Sequence, residues 1–368
     1  MPVIFYIIFI TRHLLAKSRT IKKRIRYSLF TTIMVFHFKI HSIPNNMADI
    51  LSQFAFEFNR IENAMTRHFQ SHLPLVNEIC GHILFAGGKR IRPLLTVLFG
   101  RLCGLDTQEL YDLSVTPEYL HAASLLHDDV IDGGEIRRGK PAAYKIWGNK
   151  ATILAGDFLY ARAIHLASSF GRVTIAQAIS ETVARMSEGE ILQLQRIGNI
   201  CFDEGAYLQI VEYKTASLIS TSCKIGALLA DASETQVTAA QNYGHFLGIA
   251  FQIIDDALDY TADPQEAGKA VGADLSEGKV TLPLAAALQM ADETDRRWLQ
   301  ALLFQRHLNA SDLLRIQKII QKSGALAYTI DKAQGFLRQA IKGLWVFEDN
   351  PIKQQLIQIA DFVAERKK

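Results

Sequence analysis

Two aspartate-rich stretches contain the residue types and spacing that could do chemistry in this chain. Each reads Asp-Asp-x-x-Asp inside an apolar run, and the six carboxylates are Asp128, Asp129, Asp132, Asp255, Asp256 and Asp259. In a helix, the first and last aspartates of each stretch lie one turn apart on the same face. Carboxylates that share one cavity repel each other unless cations lie between them. Oxygen ligands of this kind suit Mg²⁺, which commonly bridges carboxylates to substrate phosphates. The pattern therefore predicts that a diphosphate or a similar polyanion is bound through metal.

A solvated acidic helix face is the simpler explanation of any one such motif. Two observations favour the metal site instead. The aspartates are flanked by apolar residues, Leu125, Leu126, Val130 and Ile131 in the first stretch and Ile253, Ile254 and Leu258 in the second. These flanks predict partial burial, and the motif occurs twice.

Basic side chains predict a second anion site that needs no metal. Gly87-Gly88 precedes Lys89 and Arg92, which are one turn apart where a helix opens at Pro93. Free backbone N–H groups at a helix start, together with Lys and Arg, bind anions. Arg137 and Arg138 are adjacent, and adjacent helical side chains diverge by about 100°. Each of these two arginines could therefore serve a different anion.

The rest of the sequence predicts helices that would position these groups. Apolar residues recur at three- and four-residue steps over Ile50–Phe69, and residues 142–263 contain no proline. Thr116-Pro117-Glu118 has the composition of a helix cap, so we expect a helix to start or to kink near Pro117. No Gly/Ser/Pro-rich linker divides the chain. The predicted fold class is all-α, with one domain over residues 47–368.

The charge distribution separates the first 46 residues from the rest. Residues 1–46 contain eight of the 40 Lys and Arg side chains and none of the 37 Asp and Glu side chains. Residues 47–368 therefore carry 32 basic and 37 acidic groups, a net charge of −5, which argues against nucleic-acid binding. The apolar runs in 1–46 are too short to span a bilayer. An acid-poor, basic segment of this kind fits an organelle-targeting sequence or upstream sequence translated from a wrong start, with Met47 the true beginning. We favour the wrong start, and we expect this N-terminal extension to be poorly packed.

The four cysteines, Cys80, Cys103, Cys201 and Cys223, are scattered and form no Cys-x-x-Cys pair. This spacing argues against a zinc site and favours reduced thiols in a reducing compartment. The expected location is cytoplasmic.

Taken in order over roughly residues 50–365, these motifs resemble those of the trans-isoprenyl diphosphate synthases, the polyprenyl synthetase family. The resemblance implies a helical bundle around a deep central cavity, a homodimer, and two or three Mg²⁺ ions per active site. It also implies two substrates, isopentenyl diphosphate and an allylic diphosphate. Within the family, the motifs are most like those of the long-chain octaprenyl and decaprenyl diphosphate synthases.

The resemblance also implies a role for each motif residue. The six aspartates would hold Mg²⁺. Isopentenyl diphosphate would be bound by Lys89, Arg92, His121 and Arg138. The allylic diphosphate would be bound by Arg137, Lys214, Thr215, Gln252, Lys269 and Lys279. The groups closest to the chemistry would be Asp128, Asp129, Asp132, Arg137, Lys214, Thr215, Asp255, Asp256 and Lys269. His127 faces away from Asp128 and Asp132 and is expected to be structural.

Product length follows from side-chain volume beside the first motif. Ala123 and Ser124 lie about one turn before Asp128, where short-chain members of the family carry bulky aromatic residues. Small residues here predict a deep tunnel and a long product, octaprenyl to decaprenyl, of the kind used for quinone side chains. A transient membrane contact during product release is a further expectation.

Three alternatives remain open on the sequence. A shorter-chain farnesyl or geranylgeranyl diphosphate synthase would share the motifs. A non-catalytic subunit of a heteromeric synthase would keep the fold, but such subunits tend to lose one aspartate motif, and both are intact here. A class I terpene cyclase would have an Asn/Ser/Glu second motif and no use for Lys89 and Arg92.

Overall fold

The computed structural model describes residues 52–197, 203–261, 275, 278–303 and 309–365. The expectations for residues 1–46, for Cys201 and for Lys269 fall outside these residues. The chain divides into two compact units, residues 1–55 and residues 56–368, and the sites discussed below lie in the second unit.

Helices account for nearly all of the described secondary structure. The α-helices are α1 Ala55–His68, α2 Pro74–Leu84, α3 Ile91–Leu102, α4 Gln108–Asp132, α5 Ala143–Ser169, α6 Val173–Arg196, α7 Glu204–Val211, α8 Ser217–Leu229, α9 Glu234–Leu258, α10 Leu282–Met290, α11 Glu293–Leu302, α12 Ala310–Lys322, α13 Ala325–Gly343 and α14 Pro351–Glu365. A π-helical turn, Glu212–Ala216, joins α7 to α8, and a 3₁₀ turn, Leu344–Val346, follows α13. The strands of the described residues form one antiparallel hairpin, β1 Ile136–Arg137 with β2 Lys140–Pro141.

The all-α prediction is confirmed, and α4 occupies the centre of the bundle. It packs against α3, α5 and α8, and α9 packs against α8 and α13. The main core is built from buried aliphatic and aromatic side chains of these central helices, such as Tyr119, Leu120 and Leu126 on α4. A smaller apolar cluster lies among α10, α11 and α12. Among the described helices, none is long and apolar enough to cross a membrane.

The predicted helix start at Pro117 is wrong, because α4 begins at Gln108 and contains Pro117 in its interior. Proline has no N–H to donate to the carbonyl four residues earlier. In α4 that carbonyl, on Leu113, accepts a hydrogen bond from the Thr116 hydroxyl at 2.8 Å. Thr116 therefore stabilises the proline within the helix instead of capping its start.

Candidate active site

A cavity of about 370 Å³ brings the two aspartate motifs together. Asp128 and Asp132 reach it from α4, and Asp255 and Asp256 reach it from α9, more than 120 residues later in the chain. The remaining lining comes from β1, α6, α7, the π-turn and the segment before α10. The arrangement places four carboxylates of the two motifs around one space, as the prediction of a shared polyanion site requires.

Asp129, the middle residue of the first motif, points into the protein and is 1% exposed. Arg137 in β1 donates two hydrogen bonds to its Oδ1, from Nε at 2.8 Å and from Nη2 at 2.6 Å. The hairpin that carries Arg137 directly follows α4, and Arg138 at its turn has a left-handed backbone with φ of 53°. Arg137 also lines the cavity, so it links a buried aspartate to that cavity.

Asp128 shares its surroundings with a carboxylate from another helix. Burial, reinforced by the negative charge of Glu190 on α6, raises the pKa of Asp128 to about 7, and Lys214 opposes that rise. Lys214 Nζ lies 2.7 Å from Glu190 Oε1. Gly189 permits this approach, because a Cβ at that position would lie only 2.9 Å from the backbone nitrogen of Lys214. The concentrated negative charge here favours a bound cation.

A chain of hydrogen bonds fixes Asp256, the second aspartate of the second motif. Gln252 donates to its Oδ1 at 2.8 Å, and the Tyr207 hydroxyl donates to its Oδ2 at 2.6 Å. Thr215 in turn donates to Gln252 at 2.9 Å. Asp256 is 4% exposed, whereas Asp255 beside it is exposed. Asp259 is the C-cap residue of α9, one turn beyond Asp255.

Cationic groups surround the aspartates of the cavity. Lys279 Nζ lies 3.9 Å from Asp132 Oδ2, and Lys279 lines the cavity together with Lys214, Arg137 and Arg196. These side chains come from four different segments of the chain. They supply positive charge on the same space that the carboxylates border, as a metal-bound diphosphate requires.

A second cationic group, separate from this lining, forms where α3 begins. Arg92 lies in the first turn of α3, and the Arg138 guanidinium donates a hydrogen bond to the Gly87 carbonyl in the preceding loop. Burial and the positive charges of Arg92 and Arg138 lower the pKa of His121 well below its usual value, so this imidazole is neutral. Among the described residues, the Nε of Arg92 is buried without a hydrogen-bond partner. Lys89 Nζ lies 5.8 Å from the centre of the Phe362 ring on α14.

The two residues predicted to control product length lie on α4 within the bundle. Ala123 is fully buried and belongs to the main core. Ser124 is partly buried, and its hydroxyl donates to the His121 carbonyl at 2.9 Å. His127 contacts the Ile153 carbonyl at 3.0 Å on α5, which fits the structural role expected for it.

Sequence reasoning missed Glu190, Tyr207, Arg90 and Glu118. Glu190 and Tyr207 border or support the cavity, and Arg90 and Glu118 form a buried ion pair with an N–O distance of 2.7 Å. A weak signal existed for Arg90, which lies between Lys89 and Arg92 in the sequence. Glu190, Tyr207 and Glu118 lie in no sequence pattern that indicates a function.

The polyprenyl synthetase family model matches residues 73–320 of this chain. The chain belongs to the polyprenyl synthetase family. Its sequence is 35% identical to octaprenyl diphosphate synthase of Escherichia coli (strain K12), over 83% of this chain and 94% of that protein. It is also 34% identical to heptaprenyl diphosphate synthase component 2 of Bacillus subtilis (strain 168), over 83% of this chain and 87% of that protein.

A solved structure from the same family has a closely similar fold. Polyprenyl synthase from Caulobacter crescentus CB15, complexed with calcium and isoprenyl diphosphate, superimposes with a TM-score of 0.82. The two sequences are 35% identical, and the match covers 87% of this chain and 98% of that one. The family and fold expected from the motifs are therefore confirmed.

The oxygen ligands of this polyprenyl synthetase fit a divalent cation. Among the described residues, no group of three or more His, Cys, Asp or Glu side chains converges closely enough to hold an ion by protein ligands alone. Mg²⁺ rarely needs such a group, because it keeps several waters and uses one or two carboxylates plus substrate phosphates. Asp128, Asp132 and Asp255 could hold such an ion, because their carboxylates line the cavity. The buried Asp129 Oδ2 has no hydrogen-bond partner among the described residues.

Proposed function

We propose that this chain is a Mg²⁺-dependent prenyltransferase. It condenses isopentenyl diphosphate with an allylic diphosphate, 1′-4 and head to tail, and repeats the step to give a long-chain all-trans polyprenyl diphosphate. One observation carries the proposal: the aspartates of α4 and α9 meet at a cavity ringed by Lys214, Lys279 and Arg137. The separate cluster of Arg92, Arg138 and His121 provides a second site for an anion.

The residues around the cavity have distinct tasks in this reaction. Asp128, Asp132 and Asp255 would hold Mg²⁺, which when bound neutralises charge on the departing diphosphate. Lys214, Lys279 and Arg137 bind the same diphosphate and stabilise the charge that develops as its bond to the allylic carbon breaks. Lys269, by the family motif, joins them. The apolar part of the lining, such as Leu125, Ile210 and Val211, keeps water from the allylic cation.

The second substrate is bound without metal. Lys89, Arg92, Arg138 and His121 hold the diphosphate of isopentenyl diphosphate so that its alkene faces the allylic cation. The neutral His121 donates a hydrogen bond to the anion, and the arginines supply the charge. The new carbon–carbon bond forms as the alkene attacks, and the proton that is then lost passes to the released diphosphate.

Small side chains at Ala123 and Ser124 support a long product, of the octaprenyl to decaprenyl class. We propose that this product is used for quinone side chains and that the protein is located in the cytoplasm. The name of the E. coli relative supports the same product class. The B. subtilis relative is one component of a heteromeric enzyme, which favours a partner subunit as the second candidate. Intact aspartates in both motifs support a catalytic role in either assembly.

A homodimer is the assembly that we propose. α5 carries large apolar side chains on its surface, with Ile146 49%, Ile153 40% and Leu154 66% exposed. Gly148 breaks α5 between Ile146 and the other two residues, with φ of 78° and ψ of 161°. Exposed apolar residues of this size are typical of a surface that a second copy of the chain covers.

The direct test is to incubate the full chain with isopentenyl diphosphate, farnesyl diphosphate and Mg²⁺ and to measure product mass. We expect a ladder of five-carbon additions that ends at a long chain, and no product when a chelator removes the metal. The double variant Asp128→Asn/Asp255→Asn is the matched inactive control. Folded wild-type protein that adds no isoprene unit contradicts the proposal.

A further inference from the structure

A buried ion pair lies behind the proposed isopentenyl diphosphate site. Arg90 Nη1 donates to Glu118 Oε1 at 2.7 Å, and the two side chains are 4% and 5% exposed. Arg90 Nη2 also donates to the carbonyl of Leu84, the last residue of α2. The Arg90 side chain therefore ties the end of α2 to the middle of α4.

The backbone of Arg90 is equally constrained. Its φ of 49° lies in the left-handed region, which is uncommon for a residue with a side chain, and it is the N-cap of α3. At Gly88, a Cβ would lie 3.2 Å from Arg138 Nη1 and 3.4 Å from Arg90 Nη1. The loop thus wraps closely around two guanidinium groups. The directions of Lys89 and Arg92, on either side of Arg90, depend on how Arg90 is held.

Glu118 is the acidic group at the centre of this cationic cluster. Desolvation lowers the pKa of Arg92 and of Arg138, and the negative charge of Glu118 is the largest opposing influence on both. Glu118 directly follows Pro117, where α4 lacks one backbone hydrogen bond, and it lies one turn before His121. One face of α4 therefore presents Glu118 and His121 to the same arginines.

We propose that Glu118 is a positioning residue for the isopentenyl diphosphate site. It holds Arg90, and through Arg90 it fixes the loop over residues 85–90, so that Lys89, Arg92 and Arg138 converge on one diphosphate. Glu118 does not contact the substrate itself, because its charge has the same sign as the diphosphate. This role rests on the proposed function and adds to it a residue outside the predicted binding set.

The test compares the two substrates in steady-state kinetics of Glu118→Gln, Arg90→Lys and the double variant. Glu118→Gln keeps the size of the side chain but loses the charge-assisted bond. We expect KM for isopentenyl diphosphate to rise about tenfold, with KM for farnesyl diphosphate and kcat within about twofold of wild type. Because the two residues act as one unit, the double variant is expected to match the single variants. Glu109→Gln, an exposed acid on the same helix, is the control.

Three outcomes overturn the role: an unchanged KM for isopentenyl diphosphate in folded Glu118→Gln, equal shifts for both substrates, or additive effects in the double variant. Glu118→Asp keeps the charge but shortens the reach, and we expect the same selective rise in KM. A wild-type KM in Glu118→Asp contradicts positioning. If Glu118→Gln does not fold, Arg90→Lys and Glu118→Asp provide the same comparison. Elongation by wild-type protein is measured first, so that failure of the proposed function is distinct from failure of this inference.

Discussion

Arg137 and Asp129 form a two-bond contact in which Nε and Nη2 of the arginine, at 2.8 and 2.6 Å, share one carboxylate oxygen. The aspartate side chain is 2% exposed and the arginine side chain 31%. The contact joins the end of α4 to the hairpin. It gives the middle aspartate of the first motif a cationic partner from the protein itself, and holds that carboxylate inside the protein.

Removal of Arg137 is expected to destabilise the protein as well as to reduce activity. Arg137→Ala leaves the buried carboxylate of Asp129 unpaired, which costs about 3 kcal/mol of unfolding free energy. Arg137→Lys is expected to recover only part of the lost unfolding free energy, because an ammonium group cannot make the two-bond contact. Urea unfolding measures the effect, with the exposed Lys140→Ala in the same hairpin as control. Wild-type stability of Arg137→Ala contradicts the prediction.

The Tyr207 hydroxyl is expected to matter for catalysis although it is outside both aspartate motifs. Tyr207→Phe removes the hydrogen bond from the tyrosine hydroxyl to the buried Asp256, which lowers the unfolding free energy by about 1–3 kcal/mol. We also expect kcat to fall about tenfold, because Asp255 loses its rigid neighbour. Tyr328→Phe removes an exposed tyrosine–carboxylate bond to Glu204 and is the control. An equal kcat for Tyr207→Phe and Tyr328→Phe contradicts a role of the Tyr207 hydroxyl in catalysis.

The neutral His121 predicts a pH dependence of stability. Its folded-state pKa is lowered by burial and by the arginines. Below about pH 6.5, the imidazole is therefore protonated in the unfolded chain but stays neutral in the folded protein. Stability due to this residue is therefore complete above that pH and falls by up to about 1.4 kcal/mol per pH unit below it. Unfolding of wild type and His121→Asn is compared at pH 7.5 and 5.5, with exposed His72→Asn as control. The same pH slope in wild type and His121→Asn is the contrary result.

Product length is expected to respond to the volume of residue 124. Ser124→Phe adds an aromatic ring to α4 about one turn from Asp128, and the product is expected to shorten by several isoprene units. Ser124→Ala keeps the side chain small and serves as control. Mass spectrometry of the products decides the point: an unchanged length distribution means that the growing chain does not pass this face.

The apolar surface of α5 is expected to hold the dimer together. Leu154→Asp places a charge where we propose that a second copy packs, so sedimentation equilibrium should show a shift from dimer to monomer. Leu314→Asp, at a 51% exposed leucine on α12, is the matched control. If Leu154→Asp forms a dimer with unchanged affinity, the α5 surface is not the dimer interface.

The sequence by itself determined the features that depend on local order. Helical periodicity predicted the fold class, and the Asp-Asp-x-x-Asp spacing placed Asp128 and Asp132 on one face of α4, as the structure has them. It also predicted a helix opening beside Lys89 and Arg92. It misjudged Pro117, because a threonine hydroxyl can replace the missing backbone donor inside a helix.

The tertiary structure alone decided which of the motif aspartates are held by hydrogen bonds from distant residues. Asp129 is bound by Arg137, and Asp256 is bound by Tyr207, which lies 49 residues away in sequence. The Glu190–Lys214 and Arg90–Glu118 pairs likewise join different helices. The physical reason is that the charge and burial of each group depend on partners that only the packing of the bundle brings within 3 Å. No local pattern encodes those distances.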